Sequence, residues 1–134
     1  MQSSVDTNVL LRLLLGDIPA HYQAVKKLLA GDTVFLVADA AVIELVFALQ
    51  RHYGFSRSDT ADAVMDILDM PQLQGSAPLF KAVTAHFVSH SALSFEDCYL
   101  ATYAQQSDAA PLWTFDKKLA SQLPDARLLA VDRT

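Results

Sequence analysis

Residues 34–53 read VFLVADAAVIELVFALQRHY. Val34 to Val37 is a short β-branched and aromatic run, best read as a buried strand. Asp39 then stands where a helix N-cap belongs, and a helix runs from about Ala40 to Tyr53, ended by Gly54. One charge interrupts its apolar centre: Glu44, whose neighbours at helical spacing are Ala40, Ala41, Phe47 and Ala48. Apolar residues on every side place this helix in the core, where a carboxylate needs a cation, a hydrogen-bond partner or a proton. A buried salt bridge to Lys or Arg is the plain structural alternative.

The same alternation extends both ways. Upstream, residues 3–6 (SSVD) read as a very short strand and Asn8 to Leu15 as an apolar helix. The turn GDIP follows, with Pro19 in the first turn of a helix running to about Ala30. Downstream, Ser56 caps a helix reaching about Met70, and Leu73 to Ala77 holds a weak strand. Helices from about Leu79 to His90 and Ser94 to Gln106 precede a strand at Leu112 to Phe115. A short helix at Lys117 to Leu123 and a strand at Arg127 to Val131 close the chain. Strands alternating with helices predict an α/β fold, a short central parallel sheet of about five strands flanked by helices. Ligands bind such sheets beyond the carboxyl ends of the strands.

At 134 residues the chain fits a single domain, 1–134, and its 52% hydrophobic content argues against disorder. No apolar run approaches the roughly 20 residues that span a bilayer. The N-terminus, MQSSVDTNVLLRLLLGD, lacks the basic start of a secretion signal. The single cysteine, Cys98, forms no internal disulfide, and a cytoplasmic location is expected. The net charge of −5 is not the basic footprint of a nucleic-acid binder, yet an acidic metal pocket would itself account for most of it.

Four carboxylates stand in or beside apolar stretches: Asp6, Glu44, Asp97 and Asp116. Asp6 and Asp116 close predicted strands, while Glu44 and Asp97 lie in first turns of helices, so the architecture is expected to converge all four at one sheet edge. Each has a plainer reading. Asp6 and Asp116 suit helix caps, and Ser94 caps a helix whose dipole Glu96 and Asp97 meet favourably. Thr7 and Asn8 add short polar groups able to orient a carboxylate or a water. Thr114, two residues before Asp116, is expected to point the same way and to hydrogen-bond it. Together the acids would suit a hard divalent cation and, through it, phosphodiester chemistry.

In this order on an α/β chain, DTNVLLRLLL, IELVFAL, FEDCYLATYA and TFDKKL resemble the PIN-domain nucleases, most closely the VapC-type toxins of toxin–antitoxin modules. The resemblance spans essentially the whole chain and implies a three-layer PIN fold. It assigns Asp6, Glu44, Asp97 and Asp116 to the acidic site and Asn8 and Thr114 to supporting places. It also implies a Mg²⁺-dependent ribonuclease (Mn²⁺ being possible), an RNA substrate, a homodimer and a cognate antitoxin. Two departures stand out: a polar first strand at Gln2, Ser3 and Ser4, and Cys98 where the family often has Ala. The competing classes are an inactive PIN-like module that binds RNA or protein, and a metal-dependent phosphatase using Asp6 as nucleophile. The phosphatase pattern wants an aspartate two residues on, where Asn8 stands.

Other clusters read as surface. His86 and His90 are four apart on a helix, but Phe87 stands where a zinc protease needs Glu. Asp59, Asp62, Asp66 and Asp69 form a stripe opposite Ala61, Val64, Met65 and Leu68, as a solvated helix face does. Arg12, Lys117 and Lys118 are the cations nearest the acids in sequence, and so the candidates for phosphate contact.

Overall fold

The computed structural model describes residues 1–132 and holds seven helices and five strands among them. It divides into two compact units, Met1–Ala77 and the chain from Pro78 onward.

The first unit carries β1 (Gln2–Ser4), α1 (Thr7–Leu15), α2 (Pro19–Leu29), β2 (Val34–Leu36), α3 (Asp39–Tyr53), α4 (Arg57–Leu68) and β3 (Leu73–Gln74). The strands pair in the order β1-β2-β3, all parallel, with Ser3 opposite Phe35 and Phe35 opposite Leu73. Two helices form each crossover, since parallel neighbours cannot be joined by a tight turn. Leu10 of α1, Leu45 and Leu49 of α3, and Val64 and Ile67 of α4 are buried. Gly16 and Gly54, both with positive φ, end α1 and α3, a conformation glycine adopts without a Cβ penalty.

The second unit carries α5 (Ala77–Ser89, its first residue in the first unit), α6 (Phe95–Gln106), β4 (Leu112–Thr114), α7 (Lys117–Gln122) and β5 (Ala126–Leu128). Here β4 and β5 pair parallel, with Trp113 opposite Arg127. Aromatic rings dominate the packing: Phe95 stacks on Phe80 at 6.0 Å between centroids and meets Phe87 edge-on at 5.2 Å.

The predicted α/β alternation with parallel strands is present, and five strands form it. They hydrogen-bond as a three-stranded and a two-stranded ladder rather than as one sheet. The polar first strand is exposed at all three of its residues; its pairing rests on backbone bonds to β2, not on side-chain burial. Asp39 is the first residue of α3, and Ala38 holds the cap position without a side-chain bond. The Asp59–Asp69 stripe is exposed, over a buried face of Ala61, Val64 and Leu68. No helix among the described residues is long and apolar enough to cross a membrane.

Candidate active site

Asp6 follows β1 by two residues and caps α1, its Oδ1 accepting from the Val9 amide at 3.1 Å. Asp116 stands in the same relation to β4 and α7. Its Oδ1 accepts from the amides of Lys118 (2.9 Å) and Leu119 (3.2 Å). Each unit thus ends a strand, passes one residue, and opens a helix with an aspartate. The cap satisfies amides that the first turn of a helix would otherwise leave unpaired. Thr114 supports this turn, though not as expected: its Oγ1 accepts from the Asp116 backbone amide at 3.0 Å rather than bonding the carboxylate.

Asp97 belongs to a capping box. Its amide donates to Ser94 Oγ at 3.1 Å and its Oδ2 accepts from the Ser94 amide at 3.2 Å. Glu96 beside it is exposed while Asp97 is half-buried, so the dipole-facing solvent role falls to Glu96.

Glu44 corrects the sequence reading. It is exposed, not buried in an apolar helix. The buried stripe of α3 is Val42, Leu45, Val46 and Leu49, and Glu44 projects from the opposite face with Phe47 and Arg51. Phe47 is 52% exposed and lies under the Arg51 guanidinium at 5.3 Å. An apolar ring on the outer face made the helix look apolar all round. What holds Glu44 is Thr7: its Oγ1 lies 3.2 Å from Glu44 Oε2 and 3.1 Å from the Ala41 carbonyl oxygen. The residue next to Asp6 therefore orients the carboxylate of α3.

One feature is common to the four acids. Each has one carboxylate oxygen held by a protein donor: Oδ1 in Asp6, Oε2 in Glu44, Oδ2 in Asp97 and Oδ1 in Asp116. Among the described residues the second oxygen of each has no protein partner. Hard, anionic, anchored oxygens of this kind suit Mg²⁺, which takes one or two carboxylates directly and keeps several waters. Contact links Asp6 and Glu44 through Thr7, whereas Asp97 and Asp116 are anchored separately within the second unit. Among the described residues no three His, Cys, Asp or Glu side chains are grouped closely enough to ligate one ion.

Asn8 is exposed and, with Asp6, Arg12 and His21, lines a cavity of about 270 Å³. His21 was not evident from the sequence; the turn after Gly16 folds α2 back against α1 and brings it there. Arg12 is not available to a phosphate. It is buried, its Nη1 pairs with Asp17 at 2.9 Å, and its Nη2 donates to Tyr53 Oη at 3.0 Å. The hydrogen bond to Tyr53 holds the guanidinium pKa above its ordinary value, burial opposes this, and Asp17 adds to the rise. Arg12 ties the end of α1 to the following turn and to the end of α3. Lys117 and Lys118 are exposed. His86 and His90 are half-buried, and His90 Nδ1 lies 2.9 Å from the His86 carbonyl oxygen, a bond within the helix end.

Residues 4–122 match the PIN domain, most of the chain, and both units contribute to the match. The chain belongs to the PIN-domain family, whose members are generally nucleases that use divalent metal ions. No curated protein matches the sequence.

Proposed function

We propose that this chain is a metal-dependent ribonuclease that cleaves RNA phosphodiester bonds, and that it is the VapC-type toxin of a toxin–antitoxin pair. The observation that carries the reading is the set of four acids, each anchored through one oxygen and offering the other. Family membership supplies the reaction class. Asp6 and Asp97 would hold Mg²⁺ or Mn²⁺, with Asp116 and Glu44 completing the shell directly or through water. A metal held by these carboxylates would supply the positive charge that admits a phosphate among them and would activate a water for in-line attack. Thr7 fixes the Glu44 carboxylate, Thr114 fixes the turn that presents Asp116, and Asn8 adds a polar wall beside Asp6. Lys117 and Lys118 offer charge to the RNA backbone.

A homodimer and an antitoxin complete the proposal. Large apolar side chains left exposed, Phe47 on α3 and Leu100 and Tyr103 on α6, give such partners surface to cover. An antitoxin bringing Arg or Lys to the acids would compete with the metal.

Asp6→Asn and Asp97→Asn test the site. Asn serves a helix N-cap as well as Asp does, so Asp6→Asn keeps its fold. Each variant is expected to lose RNA cleavage by at least about 100-fold, because a lost ligand exceeds the effect of a lost outer-shell partner. Chelation by EDTA is expected to abolish wild-type cleavage, and added Mg²⁺ to restore it. A folded Asp6→Asn protein with undiminished metal-dependent cleavage overturns the assignment.

A further inference from the structure

The β4–β5 ladder leaves one face bare. Trp113 of β4 is 54% exposed, and Phe115, in the bend that directly follows the strand, is 67% exposed. Arg127 lies opposite Trp113 in the ladder, its guanidinium 5.5 Å from the ring centroid. Leu129 extends the pairing through its amide bond to the Thr114 carbonyl at 2.8 Å, and it too is exposed. Lys117 and Lys118, both exposed, follow immediately. Solvent-facing positions of a ladder ordinarily carry polar side chains. Here Trp113 and the stacked Arg127 occupy such positions and a second exposed ring, Phe115, follows in the bend, on a chain whose net charge is −5.

We propose that this face is a base-stacking platform for unpaired RNA. The inference deepens the ribonuclease reading and rests on it for the identity of the polymer. The chemistry fits on three counts. Flat rings accept any base through its π face, which is what binding along a strand requires. Arg127, stacked over the Trp113 ring, places a cation at the platform itself for the phosphate beside a stacked base, and Lys117 and Lys118 offset Asp116 and Asp125 near it in sequence. Phe115 directly precedes Asp116, so a strand seated on the rings arrives at a site carboxylate within one residue of backbone. Duplex RNA hides its base faces in the helical stack, and the platform therefore selects single strands.

Trp113 is the chain's only tryptophan, so its emission reports on this face alone. The full chain is titrated in EDTA, which blocks cleavage, with short oligouridylate, oligoadenylate and the duplex they form. The single strands are expected to quench Trp113 saturably, and the duplex far less. Phe115→Ala and Arg127→Ala are expected to weaken binding about 5- to 100-fold, the range for losing one stacked base. Phe115→Tyr, which keeps the ring, retains the wild-type affinity. Circular dichroism confirms that the variants fold, and the wild-type quench needs no variant. Oligonucleotide binding seen by anisotropy without a Trp113 quench overturns the platform, as does wild-type affinity in Phe115→Ala. An emission shift driven by protein concentration alone also overturns it and assigns the face to a contact between copies. Cleavage measured in parallel separates the two readings. Cleavage that needs the acids, with no quench, leaves the nuclease standing without the platform; a quench that needs Phe115, with no cleavage, does the reverse.

Discussion

Thr7 has one hydroxyl proton and two acceptors within reach, the Ala41 carbonyl and Glu44 Oε2. An exposed glutamate samples many rotamers, and this bond narrows them at a position where, in the proposed site, carboxylate geometry would set metal affinity. Thr7→Val keeps the shape and removes the bond. Its expected effect is a fall in kcat of about 10-fold with little change in KM, the mark of a positioning residue. The Tm stays close to wild type, because a bond to an exposed group contributes on the order of 1 kcal/mol or less. Thr7→Ser restores the rate, and RNA cleavage kinetics with a thermal melt measure all three. A Thr7→Val enzyme with wild-type kcat shows that Glu44 needs no such tether. The sequence identified Thr7 as a group that orients a carboxylate, but the carboxylate is on α3, 37 positions away along the chain. Glu44 itself was singled out for a burial it does not have. Apolar periodicity identifies a core face only when the outer face is polar, and Phe47 on the outer face of α3 removed that contrast.

The recurring element is a strand, one residue, and an aspartate that opens a helix: β1–Asp6–α1 in one unit and β4–Asp116–α7 in the other. Both were legible, because a short apolar or hydroxyl-rich strand meeting Asp is a strong local cap signal. The cost of that legibility is ambiguity, since a cap and a metal ligand want the same residue. Asp97 permits a separation. Ser94→Ala removes the acceptor for the Asp97 amide and breaks the capping box without touching the carboxylate charge. The expected loss is about 1 kcal/mol of stability and a few degrees of Tm. RNA cleavage below the transition should fall much less than in Asp97→Asn. Equal losses of activity in the two variants would mean that Asp97 acts through the helix cap alone. Strand pairing was less legible than strand existence. Short strands of two or three residues carry no side-chain pattern that names their neighbour, so the order β1-β2-β3 and the separate β4-β5 ladder lay beyond local periodicity.

At the scale of the whole molecule, the family match runs through both units, and the chain as a whole is acidic. The chain carries 15 acidic residues against 10 Lys and Arg. Four of those acids are the site candidates, so without them the protein would be close to neutral. Asp6 and Glu44, linked through Thr7, are one place where an RNA strand approaching metal-free protein would meet repulsion. One substitution is therefore expected to have opposite effects on binding and on cleavage. On the proposed site, Asp6→Asn in EDTA removes a charge that would face the scissile phosphate and is expected to raise RNA affinity by up to about 5-fold, the order of one unit-charge interaction across 4 Å of water. The gain should shrink as salt rises and the Debye length contracts toward a few ångströms. In Mg²⁺ the order is expected to reverse, because the proposed wild-type site would bind a cation that the variant would hold poorly, and only the wild type is expected to cleave. Anisotropy titrations of a labelled single strand, with and without Mg²⁺ and at two salt concentrations, read both halves. Unchanged metal-free affinity in Asp6→Asn would place the RNA backbone away from Asp6, and a gain that persists at high salt would trace to something other than charge.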